Sequence, residues 1–160
     1  MDNKNKNRIL VIDDDKEVAD LIIVYLLKQG YRVVAAHTAK EGIEKFGDGD
    51  FDLVILDLNL PDANGIEVLD YIKQKVRETV VLIITGHGTS EASISSVKAG
   101  AYDFIQKPID LQSLEVIISR ALEKQGLTKQ VGAFKGLLVA MILSVPIWLF
   151  VGYILSRLLS

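Results

Sequence analysis

The 160-residue sequence predicts an α/β fold: a doubly wound, five-stranded parallel sheet, (βα)5, flanked by five helices and followed by one C-terminal apolar helix. Three observations predict it. Short runs rich in Val, Ile and Leu alternate with segments whose apolar residues recur at three- and four-residue spacing. Three of those runs are apolar almost throughout, as strands must be when helices cover both faces of a parallel sheet. Strand and helix patterns alternate along the chain, and such a succession builds one sheet with right-handed crossovers.

Taken in order, residues 1–7 (MDNKNKN) are polar, and the apolar run behind them is too short for a signal-peptide core. The front of the chain is therefore expected to stay in the cytoplasm. RILVID (8–13) reads as the first strand and 17–29 as the first helix, with QGY at 29–31 placing glycine where a helix should stop. YRVVAA (31–36) and 39–46 form the second unit, FDLVILD (51–57) and 65–75 the third. TVVLIIT (79–85) and 90–99 form the fourth, and YDFIQ (102–106) and 111–124 the fifth. This gives one domain over 8–125, a linker or a continued helix over 126–135, an apolar helix over 136–156 and a short tail over 157–160.

Composition narrows the function. Hydrophobic residues make up 49% and charged residues 24%, enough for a packed core and against wholesale disorder. Residues 1–135 carry 17 basic and 21 acidic side chains, a net charge of −4. With no basic face and no matching motif, nucleic acid is disfavoured as a partner. The absence of cysteine excludes disulfides and thiolate metal sites.

In an open parallel sheet, ligands gather at the carboxyl ends of the strands. Those ends carry Asp13, Asp14 and Asp15 after the first strand, Asp57 after the third, Thr85 at the end of the fourth, and Lys107 and Pro108 after the fifth. At ~4 Å and an effective dielectric of about 20, each like-charged pair costs roughly 4 kcal/mol, so the cluster is expected to need a bound cation. An all-oxygen site of carboxylates and water suits Mg²⁺. A hydroxyl and an ammonium facing the same point are what a phosphoryl group requires.

The stretches VIDDD (11–15), LVILDLNLPDANGIEVL (53–69), IITGHG (83–88) and AGAYDFIQKPID (99–110), in this order, resemble the receiver domain of two-component response regulators. The resemblance covers about residues 7–125. It implies that Asp57 is phosphorylated by a sensor histidine kinase or a histidine phosphotransfer protein. It also implies that Asp13, Asp14, Asp57 and the Asn59 backbone carbonyl bind Mg²⁺, that Thr85 and Lys107 bind the phosphoryl group, and that Phe104 is the switch aromatic. A tyrosine is commoner at that last position, so the hydroxyl it would bring is missing. The Lys107–Pro108 bond is expected to be cis, as X–Pro bonds most readily are.

Other residues have plainer readings. Asp15 reads as a helix cap, Asp62 and Asn64 as turn and cap residues, Tyr102 as packing, and His87 as a loop residue without a chemical role. An alternative of another class is a haloacid-dehalogenase-type phosphatase, which places an aspartate nucleophile after its first strand. DDDKE (13–17) supplies its two acids, but Glu17 stands where that pattern wants Thr or Val, and no acid pair follows Lys107. The chain is accordingly expected to be a phosphoacceptor and not an enzyme, acting through a protein partner or as a phosphotransfer intermediate or sink.

Between Lys135 and Arg157 lie 21 residues without a charge, which as a helix would span roughly 31 Å against a hydrocarbon core of about 30 Å. Residues 136–156 are therefore expected to cross a membrane. Arg120, Lys124, Lys129 and Lys135 on the near flank, against Arg157 alone on the far one, place the domain on the cytoplasmic side of a bacterial inner membrane. Gly132, Gly136, Ala140 and Ser144 recur every four residues, so a homodimer through this helix is a further expectation.

Overall fold

The computed structural model describes residues 7–86, 95 and 97–158, with 128–139, 145, 147–153 and 155–158 described by their backbone alone. Five strands, β1 (Arg8–Ile12), β2 (Arg32–Ala36), β3 (Leu53–Leu56), β4 (Val80–Thr85) and β5 (Asp103–Gln106), form one sheet in the order β2-β1-β3-β4-β5. Every pairing is parallel. The helices are α1 (Lys16–Lys28), α2 (Ala39–Asp48), α3 (Gly65–Lys75) and α4 (Leu111–Leu158). The helix expected over 90–99 lies mostly outside the described residues, as does His87; Ser95, Val97 and Lys98 are helical.

The near-continuous apolar strands have a simple physical explanation. Alternate residues of one strand point to opposite faces of the sheet. Ile9, Val11, Leu53, Ile55, Leu82 and Ile84 enter one core cluster, with Ala19, Ile22 and Leu26 of α1 and Leu114, Ile118 and Ala121 of α4. Leu10, Ile12, Val54, Leu56, Val81 and Ile83 enter the other, with Phe46 of α2 and Val68, Leu69 and Ile72 of α3. Both faces are dry, so neither half of the alternation is polar. Burying one Leu or Ile side chain contributes about 1.5–3 kcal/mol, which makes these strands the main source of cohesion.

Helix ends follow local chemistry. Asp15 caps α1, accepting from the Glu17 and Val18 amides at 3.0 and 3.2 Å, as its sequence position suggests. Gly30 follows the helix at φ 89°, a left-handed conformation that costs glycine little. Asn64 caps α3 through the Ile66 amide, and Asp110 accepts from the Gln112 and Ser113 amides at the start of α4.

The chain divides into two compact units, Met1–Leu122 and Glu123–Ser160. The segment 126–135, expected as a linker or a continued helix, is helical. It contains no proline, and its Leu, Lys and Gln residues are good helix formers, so nothing local stops the helix. The expected membrane span 136–156 falls in the second unit, where the backbone is helical and most side chains are outside the described residues. Among the described residues, no helix is long and apolar enough to cross a membrane.

Leu82, central in β4, is fully buried. Leu82→Ala should lower stability by about 2–5 kcal/mol, seen as an earlier urea midpoint by circular dichroism of the full chain.

Candidate functional site

The sheet positions the site through its carboxyl edge. Asp13 directly follows β1, Asp57 directly follows β3, Thr85 closes β4 and Lys107 directly follows β5. Ladder-like bonds extend past the strands and fix these residues: the Asp57 amide donates to Ile12 at 2.9 Å, the Asp13 amide to Ala36 at 3.1 Å, and the Lys107 amide to Thr85 at 3.0 Å. Asp13, Asp57 and Thr85 are buried, whereas Asp14 is exposed.

Carboxylate oxygens of Asp13, Asp14 and Asp57 lie within 4.8 Å of one another. Lys107 Nζ donates to Asp13 Oδ2 and to Asp57 Oδ2, at 2.7 Å each. The Lys107 ammonium offsets the charge of the two buried members, and the third, Asp14, is exposed. The remaining oxygens are also used. Asp13 Oδ1 accepts from the Asp15 amide and Asp57 Oδ1 from the Asn59 amide, each at 3.0 Å.

Burial, the larger effect, raises the Asp13 carboxyl above its ordinary value, and the bonds from Lys107 and the Asp15 amide oppose that rise. For Lys107, burial alone would lower the ammonium, but bonds and charge from Asp13 and Asp57 outweigh it and hold the group above its ordinary value. The lysine is thus a fixed cation at neutral pH.

Thr85 Oγ1 accepts from Asn59 Nδ2 at 3.1 Å, so the residue two after Asp57 touches both the acid and the hydroxyl. Phe104 is half-buried against the α2–α3 side of the core and pairs with Ile83 in register. The Lys107–Pro108 bond is cis, as expected.

The loop after Asp57 is closely held. The Gly65 amide donates to the Leu58 carbonyl at 2.9 Å, and Asn59 and Asn64 form an isolated bridge. A Cβ at Gly65 would lie 2.4 Å from the Asp57 carbonyl oxygen and 2.7 Å from Leu58 Cα. Backbone cannot yield as a side chain does, so α3 starts this close to Asp57 only because residue 65 is glycine.

Two contacts were not anticipated from sequence. Asp62, expected to serve its own turn, accepts from the Ala39 and Lys40 amides of α2 at 2.7 and 2.9 Å, capping a helix from another part of the chain. His37 Nδ1 lies 3.0 Å from the Asp13 carbonyl and, facing an acceptor, must carry the proton. Its amide donates to Glu41, which pairs with Lys45. No local signal marked His37.

Comparison with known proteins shows the family and the fold. Residues 9–119 match the family described as response regulator receiver domain. The response regulator protein PilR of Pseudomonas aeruginosa is 33% identical over 118 residues, 74% of this chain and 26% of that one. The chain thus spans about a quarter of the length of such curated relatives. A CheY-like receiver domain protein from Methanospirillum hungatei JF-1 has a TM-score of 0.75 at 34% identity, covering 76% of this chain and 98% of that one. The beryllofluoride-activated NtrC4 receiver domain dimer has a TM-score of 0.71 at 32% identity, covering 74% of this chain and 98% of that one.

The Asp62 contact is open to a pH test. Bonds from the Lys40 and Ala39 amides hold its carboxyl below the ordinary 3.8. A lowered acid contributes stability that is complete above its unfolded-state value and fades as pH falls through the folded-state value. The stability lost in Asp62→Ala should therefore be largest at neutral pH and shrink below about pH 4, read from urea midpoints across the acid range.

Proposed function

This chain belongs to the response regulator receiver domain family; from that premise we propose that it is a signalling phosphoacceptor in which Asp57 takes a phosphoryl group. The observation that carries the reading is the buried Asp57 carboxylate, bonded to Lys107 and within 4.8 Å of the Asp13 and Asp14 oxygens. The donor is a phosphohistidine of a sensor kinase or a phosphotransfer protein. A carboxylate oxygen of Asp57 forms a bond to phosphorus as the phosphorus–nitrogen bond breaks, and the leaving imidazole keeps the electron pair and gains a proton. The product is a mixed carboxylic–phosphoric anhydride.

Three convergent carboxylates, an all-oxygen donor set, fit Mg²⁺. Asp13, Asp14, Asp57 and the Asn59 backbone carbonyl would hold it. When bound, the ion supplies positive charge for the oxygens of the incoming group. Lys107 keeps its charge and can turn from Asp57 Oδ2 to a phosphoryl oxygen, and Thr85 can donate its hydroxyl proton to another. Phe104 turns inward in response. The output is a shift between two packed states read by a protein partner. Once its one acceptor is occupied the protein stops, so it is a switch and not a turnover enzyme.

We further propose that residues 136–156 anchor the protein in a bacterial inner membrane, with Asp57 on the cytoplasmic side. The 21 uncharged residues support this. So do Met141, Ile142 and Leu143: successive helix positions point about 100° apart, and all three are well exposed. Water is a poor solvent for a helix apolar all round.

Acetyl phosphate with Mg²⁺ should label the protein stoichiometrically, and Asp57→Asn or chelation should abolish the label. Labelling that survives Asp57→Asn, or sustained phosphate release from an aryl phosphate, would refute the phosphoacceptor reading. In a membrane preparation the full chain should resist alkaline extraction. Its recovery in the soluble fraction would refute the anchor and leave the phosphoacceptor untouched.

A further inference from the structure

The imidazole of His37 reaches the backbone of the acid cluster. Its Nδ1–H donates to the Asp13 carbonyl at 3.0 Å. We propose that His37 is a positioning residue for the metal site: it fixes the Asp13–Asp14 peptide and so holds the exposed Asp14 carboxylate beside those of Asp13 and Asp57. The proposal rests on the reading of these three acids as Mg²⁺ ligands.

Two consecutive residues at the end of β2 grip Asp13. The Asp13 amide donates to the Ala36 carbonyl at 3.1 Å, and the ring of the next residue, His37, donates to the Asp13 carbonyl. The backbone is thus anchored on either side of the Asp13 Cα. A peptide unit is planar, so an anchored Asp13 carbonyl also sets the direction of the Asp14 amide and the point from which the Asp14 side chain departs. One residue further on, Asp13 Oδ1 fixes the Asp15 amide at 3.0 Å. Asp14 lies between these two anchors.

Asp14 has more need of such an anchor than its partners. Asp13 and Asp57 are buried, and each is bonded to Lys107 at 2.7 Å. Asp14 is exposed, and a carboxylate near two like charges gains hydration and loses repulsion by swinging into water. The direction of its backbone is what brings an oxygen within 4.8 Å of the other two. His37 is itself well held. Its amide donates to Glu41 Oε2 at 2.8 Å, Glu41 Oε1 accepts from Lys45 Nζ at 2.6 Å, and the same Nζ donates to the Ala35 carbonyl at 2.6 Å. These bonds close a ring on the end of β2. Asp62 holds the Ala39 and Lys40 amides just beyond it, at 2.7 and 2.9 Å.

The test uses the full chain in detergent micelles, with Mg²⁺ alone as the probe and its binding followed through amide chemical shifts. His37→Leu keeps the bulk of the ring without a donor. His37→Asn keeps a donor, since its Nδ2 stands at the same branch position as Nδ1. His37→Leu should weaken Mg²⁺ binding about two- to tenfold, the range of one ordinary hydrogen bond, and His37→Asn should stay within about twofold of wild type. A residue that merely stabilised the fold would lower the urea midpoint of His37→Leu without moving the Mg²⁺ affinity. In the wild type with labelled histidine, ring-nitrogen shifts at about pH 8, where an ordinary imidazole is neutral, should place the proton on Nδ1. The signal is assigned by its loss in His37→Asn, and histidine in water prefers the proton on Nε2. An unchanged affinity in His37→Leu, a His37→Asn as weak as His37→Leu, or a proton on Nε2 would each overturn the proposal. Should His37→Leu not fold, the tautomer decides. A wild type that binds no Mg²⁺ would overturn the metal reading and this proposal with it, a result distinct from a wild type and a His37→Leu that bind equally well.

Discussion

Lys107 donates to Asp13 and Asp57 at 2.7 Å each, and the carboxyl edge of the sheet is organised around that contact. Two buried carboxylates cannot share a crevice without a cation. The lysine supplies one covalently tied to the chain, available before any ion or phosphoryl group arrives. Its placement requires β5 to lie beside β4 and Asp57 to emerge between Asp13 and Thr85, as the strand order β2-β1-β3-β4-β5 provides. A buried charge pair is weak evidence for stability, because desolvation consumes much of the attraction. Its value here is that it can be exchanged. Each group in it has a second partner to offer: the acids a metal ion, the lysine an anion.

The sheet makes that exchange possible without disturbing the rest. Each strand sends alternate residues into two separate cores, so the partition between them is stiff and its edge is well defined. What can move lies at that edge: the Lys107 stem, the Thr85 hydroxyl and the half-buried Phe104 ring. Under the proposed function, a charge change at Asp57 would be met by discrete side-chain alternatives and not by a general deformation.

The fold was legible because burial on both faces leaves strands apolar in a row and helices apolar in a stripe, a contrast that β3 and α3 display clearly. The acids and Lys107 were legible because topology alone sends strand ends to one place. Other features depended on distance in space. Nothing in the sequence says that Asp62 reaches the first amides of α2, that His37 carries its proton toward the Asp13 carbonyl, or that the Asn59 side chain turns to Thr85. These are polar contacts between loops, where no periodicity operates. Over 126–135 the sequence left a linker and a continued helix both open, because glycines in helix-forming surroundings weaken a helix without ending it.

Surface loops ordinarily accept extra residues, since their ends are anchored and their middles are not. The segment between Asp57 and Gly65 is different. It is held at its near end by the Asn59 amide, in its middle by Asp62 on α2, and at its far end by a glycine pressed onto the Asp57 backbone. One inserted residue would shift the frame of at least two of these anchors together. Such a loop behaves as a gauge of fixed length. Natural variation in length should gather elsewhere on the domain, and this stretch should change by substitution alone.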